Sequence, residues 1–222
     1  TIVGDVSRKQ AEAIAQQLTA SLPSGSPMAA PETASLPVAS EQRIAHSAAQ
    51  AHLMIGLPAL KRGDPDFFPL IVGNYSLGGG GFVSRLMKEV RDKRGLAYGV
   101  QSYFMPMVQP GPFQIGLQTK KAQANEALQV VREVLAGFLA DGPNEEELQA
   151  AKQNLVGSFP LRLDSNQKIL DNVAAIGFFG LPLDYLDHYA ENVEKVTAAQ
   201  IKAAFARHVR PENMVSVIVG GE

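Results

Sequence analysis

The stretch from Phe113 to Lys120 constrains the fold most, because Phe113, Ile115, Leu117 and Thr119 alternate there with Gln114, Gly116, Gln118 and Lys120. A period of two places the two sets on opposite faces of a strand, so this segment reads as part of a sheet with one apolar face. It is preceded by Leu96–Met105, rich in Tyr, Val and Phe, and by the turn-forming run Gln109-Pro110-Gly111-Pro112. Two such runs across a short Pro/Gly segment predict a hairpin.

Most of the remaining pattern is helical. Ala122–Ala140 carries Leu128, Val131, Leu135 and Phe138 on one stripe, and Asn144–Phe159 carries Leu148, Ala151 and Leu155. Helices are also predicted over Ser165–Phe179, Tyr185–Val196 and Ala198–His208, the last capped by Thr197. Ala51–Leu57 suits a buried strand stopped by Pro58 and the Lys61-Arg62-Gly63-Asp64 turn, after which Asp64-Pro65 opens a helix through Phe67, Leu70, Ile71 and Tyr75. Leu77–Gly81 breaks that helix; Phe82–Arg94 forms another, with Leu86 and Val90 inward and Gly95 capping its end. The expected class is α+β, a mainly antiparallel sheet packed with helices. With 222 residues, 45% of them hydrophobic, the chain can bury one substantial core.

The two ends suggest a duplication. Thr1–Gly4 reads as a strand, and Ser7 caps a helix with Ile14, Leu18 and Leu22 expected inward. From Leu22 to Ser40 the composition shifts to Pro, Ser, Ala and Gly, with Pro23, Pro27, Pro31 and Pro37 interrupting regular structure. The chain closes on a strand with Val215, Val217 and Val219, whose Ile218-Val219-Gly220 repeats Ile2-Val3-Gly4. We therefore expect residues 1–21 to be the tail of a preceding homologous domain, 22–40 a linker, and 41–222 a complete second copy. A start at Thr1 within a strand suggests a longer product.

Several functions are disfavoured. Lys and Arg number 20 against 22 Asp and Glu, a formal net charge of -2 with no basic block, which argues against nucleic acid as a partner. The absence of cysteine removes disulfides, thiolate nucleophiles and Cys-ligated zinc, and fits an oxidising or a reducing compartment. No apolar run approaches the ~20 residues of a membrane span, and no Gly-x-Ser-x-Gly elbow surrounds a serine. His46, His52, His188 and His208 include no i, i+4 pair, so zinc is not expected within this chain. Gly78–Gly81 before a helix suggests an anion loop, yet no Gly-Lys-Ser/Thr follows and the run comes after a helix rather than a strand. The glycines can instead give a flexible hinge or admit a close backbone approach.

The segment Phe82–Val100 is the most informative. Elementary chemistry accounts for much of it: Lys93 and Arg94 complement a helix C-terminus, Glu89 and Lys93 pair at i, i+4, and Tyr98 suits a strand. The Gly-rich run, the Arg-x-x-x-x-Gly-Leu-x-Tyr pattern and the strand after it resemble the C-terminal signature of the insulinase and pitrilysin family of zinc metallopeptidases, which includes the mitochondrial processing peptidases. More loosely, the likeness extends over the rest of the chain. It implies two homologous domains closing like a clamshell on a peptide, the N-terminal one carrying a His-x-x-Glu-His zinc motif that is absent here. The resemblance assigns catalytic roles to Arg91 and Tyr98, seven positions apart, as donors to a scissile or neighbouring carbonyl. It implies zinc in the homologous N-terminal domain or a partner subunit, a peptide substrate, and no activity of this chain alone. The alternative is a catalytically inactive peptide-binding or scaffold subunit of the same family. A bacterial periplasmic or cytoplasmic setting fits either.

Overall fold

A computed structural model describes residues 1–26 and 28–220. Five strands, β1 (Ser40–Ile44), β2 (Gln50–Leu60), β3 (Ala97–Phe104), β4 (Gly111–Lys120) and β5 (Val215–Val219), form one sheet in the order β1-β5-β2-β4-β3. All neighbours are antiparallel except β1 and β5, which run parallel. The alternation in β4 has the expected result: Phe113, Ile115, Leu117 and Thr119 are buried, and Leu53, Ile55 and Leu57 of β2 lie on the same face. The opposite face, with His52, Met54, Gln101 and Gln118, is exposed.

Helices cover the apolar face. The helices are α1 (Arg8–Thr19), α2 (Phe67–Asn74), α3 (Ala124–Asp141), α4 (Glu145–Gly157), α5 (Asn166–Phe179), α6 (Tyr189–Glu194) and α7 (Ala198–His208), of which α1 buries no residue and takes no part in this layer. The predicted stripes of α3 and α4 are buried. The aromatic rings of Phe104, Phe113, Phe138 and Phe205 meet where sheet, α3 and α7 converge. Capping boxes start α4 at Asn144 and α7 at Thr197, each satisfying two otherwise orphan donors.

Several expectations need correction. Thr1–Gly4 forms no strand, because no partner edge is placed beside it among the described residues. Ser7 does cap α1, through a box with Gln10, but Ile14, Leu18 and Leu22 are exposed rather than inward. β1 was not predicted: both faces of Ser40-Glu41-Gln42-Arg43-Ile44 are exposed, so it carries no alternation. β2 continues through Pro58, which pairs with Pro112 at a register shift before Leu60, an irregularity that tolerates a missing N–H. In β5 the buried residues are Ser216 and Ile218, while Val215, Val217 and Val219 are half-buried. The Tyr185–Val196 helix shortens to α6, with turns before it. Pro27 lies outside the described residues. The rest of residues 22–39 has no regular structure, yet it is tied down: Gln109 Nε2 donates to the Pro31 carbonyl at 2.9 Å, and Asn213 Nδ2 to that of Pro37 at 2.7 Å.

Candidate functional site

Arg91 and Tyr98 are placed by two departures from regular backbone. Past α2 the helix widens into a π-helical turn, Tyr75–Gly79, closed by the Gly80 N–H donating to the Tyr75 carbonyl at 2.9 Å. The glycines of this loop serve close packing and a left-handed turn. A Cβ on Gly78 would stand 2.7 Å from Leu86 Cδ1 and from Ser102 N, one on Gly80 would stand 2.7 Å from the Tyr75 carbonyl oxygen, and Gly81 has φ +61°. Close packing and a left-handed backbone require these glycines. Asn74 and Ser102 exchange hydrogen bonds beneath it, at 2.9 and 2.6 Å, and so link the loop to β3.

Gly81–Val83 then forms a single 3-10 turn, Ser84 is extended, and the chain re-enters a helix that is π-helical over Met87–Asp92. Leu86 and Val90 point inward as expected. Arg91 lies on that π turn. Such turns are uncommon and gather at functional sites. The segment is anchored by Arg85, which pairs with Glu147 at 2.7 Å, donates to the Gly142 carbonyl at 2.8 Å and lies over the Phe138 ring. Burial raises the Glu147 carboxyl, but the Arg85 hydrogen bonds and the Asn144 N–H more than offset this, holding it below the usual carboxylate range.

Gly95, at φ +61°, ends the turn, and the Thr119 hydroxyl donates to the Leu96 carbonyl at 2.5 Å. At the start of β3 the register slips: Ala97 faces Thr119 and Val100 faces Leu117, so Tyr98 and Gly99 oppose one residue. That is a β-bulge, a device that re-aims side chains beside sites. It leaves Tyr98 88% exposed.

These two irregularities bring the predicted pair together. Arg91 Cζ lies 5.5 Å from the centroid of the Tyr98 ring and 4.8 Å from that of Phe82. Phe82 was missed by sequence reasoning, because the break at Ser84 removes any helical phase relating it to Arg91. Neighbouring cations are already engaged: Lys93 and Arg94 both pair with Glu89, at 2.6 and 2.7 Å, and hold its carboxyl below the usual range. Arg91 itself makes one longer contact, 3.3 Å to Asp92. Its in-plane N–H groups and the Tyr98 phenol are donors suited to a carbonyl or carboxylate oxygen.

The histidines are dispersed. His46 accepts from the Ala48 N–H, His52 lies on the exposed sheet face, and His188 pairs with Asp184 and Glu191. His208 joins Asp64 and Asp66 in a cluster with metal-ligand spacing among the described residues. Asp66 is already held by Arg207 at 2.7 and 2.8 Å and by His208 at 2.9 Å, an arrangement that suits an ion-pair network and not a zinc site. A cavity of about 530 Å³ lies between β1, β5 and α3, and neither Arg91 nor Tyr98 lines it. Its wall is mostly apolar, and its charged members Glu41 and Arg132 pair with each other. It holds no group placed for chemistry.

Comparison with known proteins bears on this site. The family described as the peptidase M16 inactive domain matches residues 1–155. An uncharacterized zinc protease of Streptomyces coelicolor is 35% identical over 124 residues, covering 56% of this chain and 27% of that protein. A non-peptidase homolog from Helicobacter pylori is 31% identical over 147 residues, covering 65% of this chain and 33% of its own. The chain thus spans about a third of the curated relatives it matches. Among solved structures, a peptidase M16 inactive domain from Pseudomonas fluorescens superposes with a TM-score of 0.92 at 43% identity, over 99% of this chain and 52% of that one. A Helicobacter pylori protease shares the fold, with a TM-score of 0.84 at 18% identity over 98% of this chain and 53% of its own.

Proposed function

Since the chain belongs to the peptidase M16 family, as its inactive domain, we propose that it is the substrate-gripping half of a zinc-dependent metalloendopeptidase acting on peptides. In this reading residues 1–21 close a preceding homologous domain, 22–40 link the two, and 41–222 form the second half of the clamshell. Zinc, held by the homologous domain or a partner subunit, would polarise the scissile carbonyl and activate water. This chain supplies Arg91 and Tyr98, which bind and orient the peptide and donate hydrogen bonds where negative charge develops.

The observation that carries the proposal is the placement of Arg91 and Tyr98 against each other by a π turn and a β-bulge. Either irregularity alone has a structural explanation, whereas both converging on one pair, with Tyr98 exposed and Arg91 half-buried, favours a ligand site. The test is Arg91→Ala and Tyr98→Phe in the assembled peptidase. Each is expected to lower kcat by about 10²–10³ while leaving the melting temperature unchanged. Unchanged turnover in both variants would end the catalytic reading. A second reading, an inactive peptide-binding or scaffold subunit, is favoured by the likeness to the Helicobacter pylori non-peptidase homolog. In that case the same substitutions weaken peptide binding and affect no turnover.

A further inference from the structure

Arg91 contacts a second ring besides Tyr98. The Phe82 centroid is 4.8 Å from Arg91 Cζ, within the range of a cation–π contact, and the ring remains 64% exposed. A lone exposed apolar side chain needs no explanation, but three features distinguish Phe82. The loop that presents it is closely packed at Gly78 and Gly80, where a Cβ would clash. The adjacent Val83 is also exposed, which extends the apolar surface. The guanidinium that Phe82 touches lies within cation–π range of both Phe82 and Tyr98, so this ring stands beside the proposed peptide-gripping pair.

Resting on the peptide-gripping role proposed above, we infer that Phe82 is a specificity-determining residue, forming beside Arg91 and Tyr98 an apolar ledge that takes a bulky aliphatic or aromatic side chain of the bound peptide. A peptide carbonyl on the Arg91 N–H groups brings a flanking side chain within a few ångströms of both rings. Tyr98 carries a hydroxyl that serves polar contacts, whereas Phe82 has no polar atom. Its exposed face gains free energy only by covering apolar surface. A peptide with Leu or Phe at the position flanking the held carbonyl is therefore favoured over one with Ala or Asp.

The test uses the assembled peptidase and a set of ten-residue peptides differing at one position beside the cleaved bond, bearing Leu, Phe, Ala or Asp. Both kcat/KM and competition binding against a fluorescein-labelled peptide are measured, so the preference is read whether or not cleavage occurs. The wild type is expected to favour Leu and Phe over Ala by about tenfold, the scale of a few buried methylenes. Phe82→Ala brings that ratio close to one, and Phe82→Tyr restores it. Arg91→Ala weakens all the peptides while the ratio persists. If Phe82→Ala leaves the ratio intact, or lowers all the peptides equally, the ledge is refuted. If Arg91→Ala changes neither turnover nor binding, the peptide-gripping role itself fails, whatever Phe82 does.

Discussion

Arg85 and Arg91 lie six residues apart, and their surroundings give them opposite roles. Arg85 is enclosed by Glu147, the Gly142 carbonyl and Phe138, so its donors are spent on structure. Arg85→Ala would leave Glu147 half-buried without its partner, and should cost roughly 1–3 kcal/mol, between the values for exposed and buried pairs. The native Glu147 carboxyl is held below its ordinary range, so its contribution is complete above about pH 5 and is lost as pH falls through the lowered native value. Urea titrations between pH 3 and pH 7 should show stability dropping with acid, and a shallower drop in Glu147→Gln. A slope unchanged in that variant would mean the pair contributes nothing. Gly78→Ala is expected to destabilise by about 1–3 kcal/mol through overpacking against Leu86 and Ser102, read as a shift in the urea midpoint. A flexible hinge would tolerate it.

At the scale of elements, the regular parts were legible in the sequence and the irregular ones were not. The alternation of β4 and the stripes of α3 and α4 are direct imprints of burial on one face, and the cap at Thr197 could be read from a single residue. β1 left no such imprint because it lies at the sheet edge with both faces exposed. The π turn over Met87–Asp92 buries Leu86 and Val90, as an α-helix would, so periodicity cannot reveal it. The bulge at Tyr98–Gly99 is a matter of register with β4, visible only once the strands pair. Arg91 and Tyr98 were identified by resemblance, while the irregularities that bring them together and the ring of Phe82 required the structure.

At the scale of the molecule, the sheet and α1 each present a surface that meets no partner among the described residues. One is the sheet face bearing His52, Met54, Gln101 and Gln118. The other is the apolar stripe of α1, where Ile14 and Leu18 are exposed although the spacing is that of a buried face. If residues 1–21 complete a preceding domain, Ile14→Gln with Leu18→Gln should shift the stability of this chain by no more than about 0.5 kcal/mol, as surface changes do, yet destabilise the two-domain parent measurably in the same urea titration. Among the described residues no helix is long and apolar enough to cross a membrane. Under the proposed function this chain grips a peptide through Arg91 and Tyr98 while zinc resides in its homologue. The direct measurement is peptide cleavage by this chain, by the zinc-bearing homologous half, and by the two mixed, with zinc quantified in each. Zinc is expected in the homologue and turnover only in the mixture, lowered about 10²–10³-fold by Arg91→Ala. Stoichiometric zinc and full turnover in the isolated chain would contradict the proposed function.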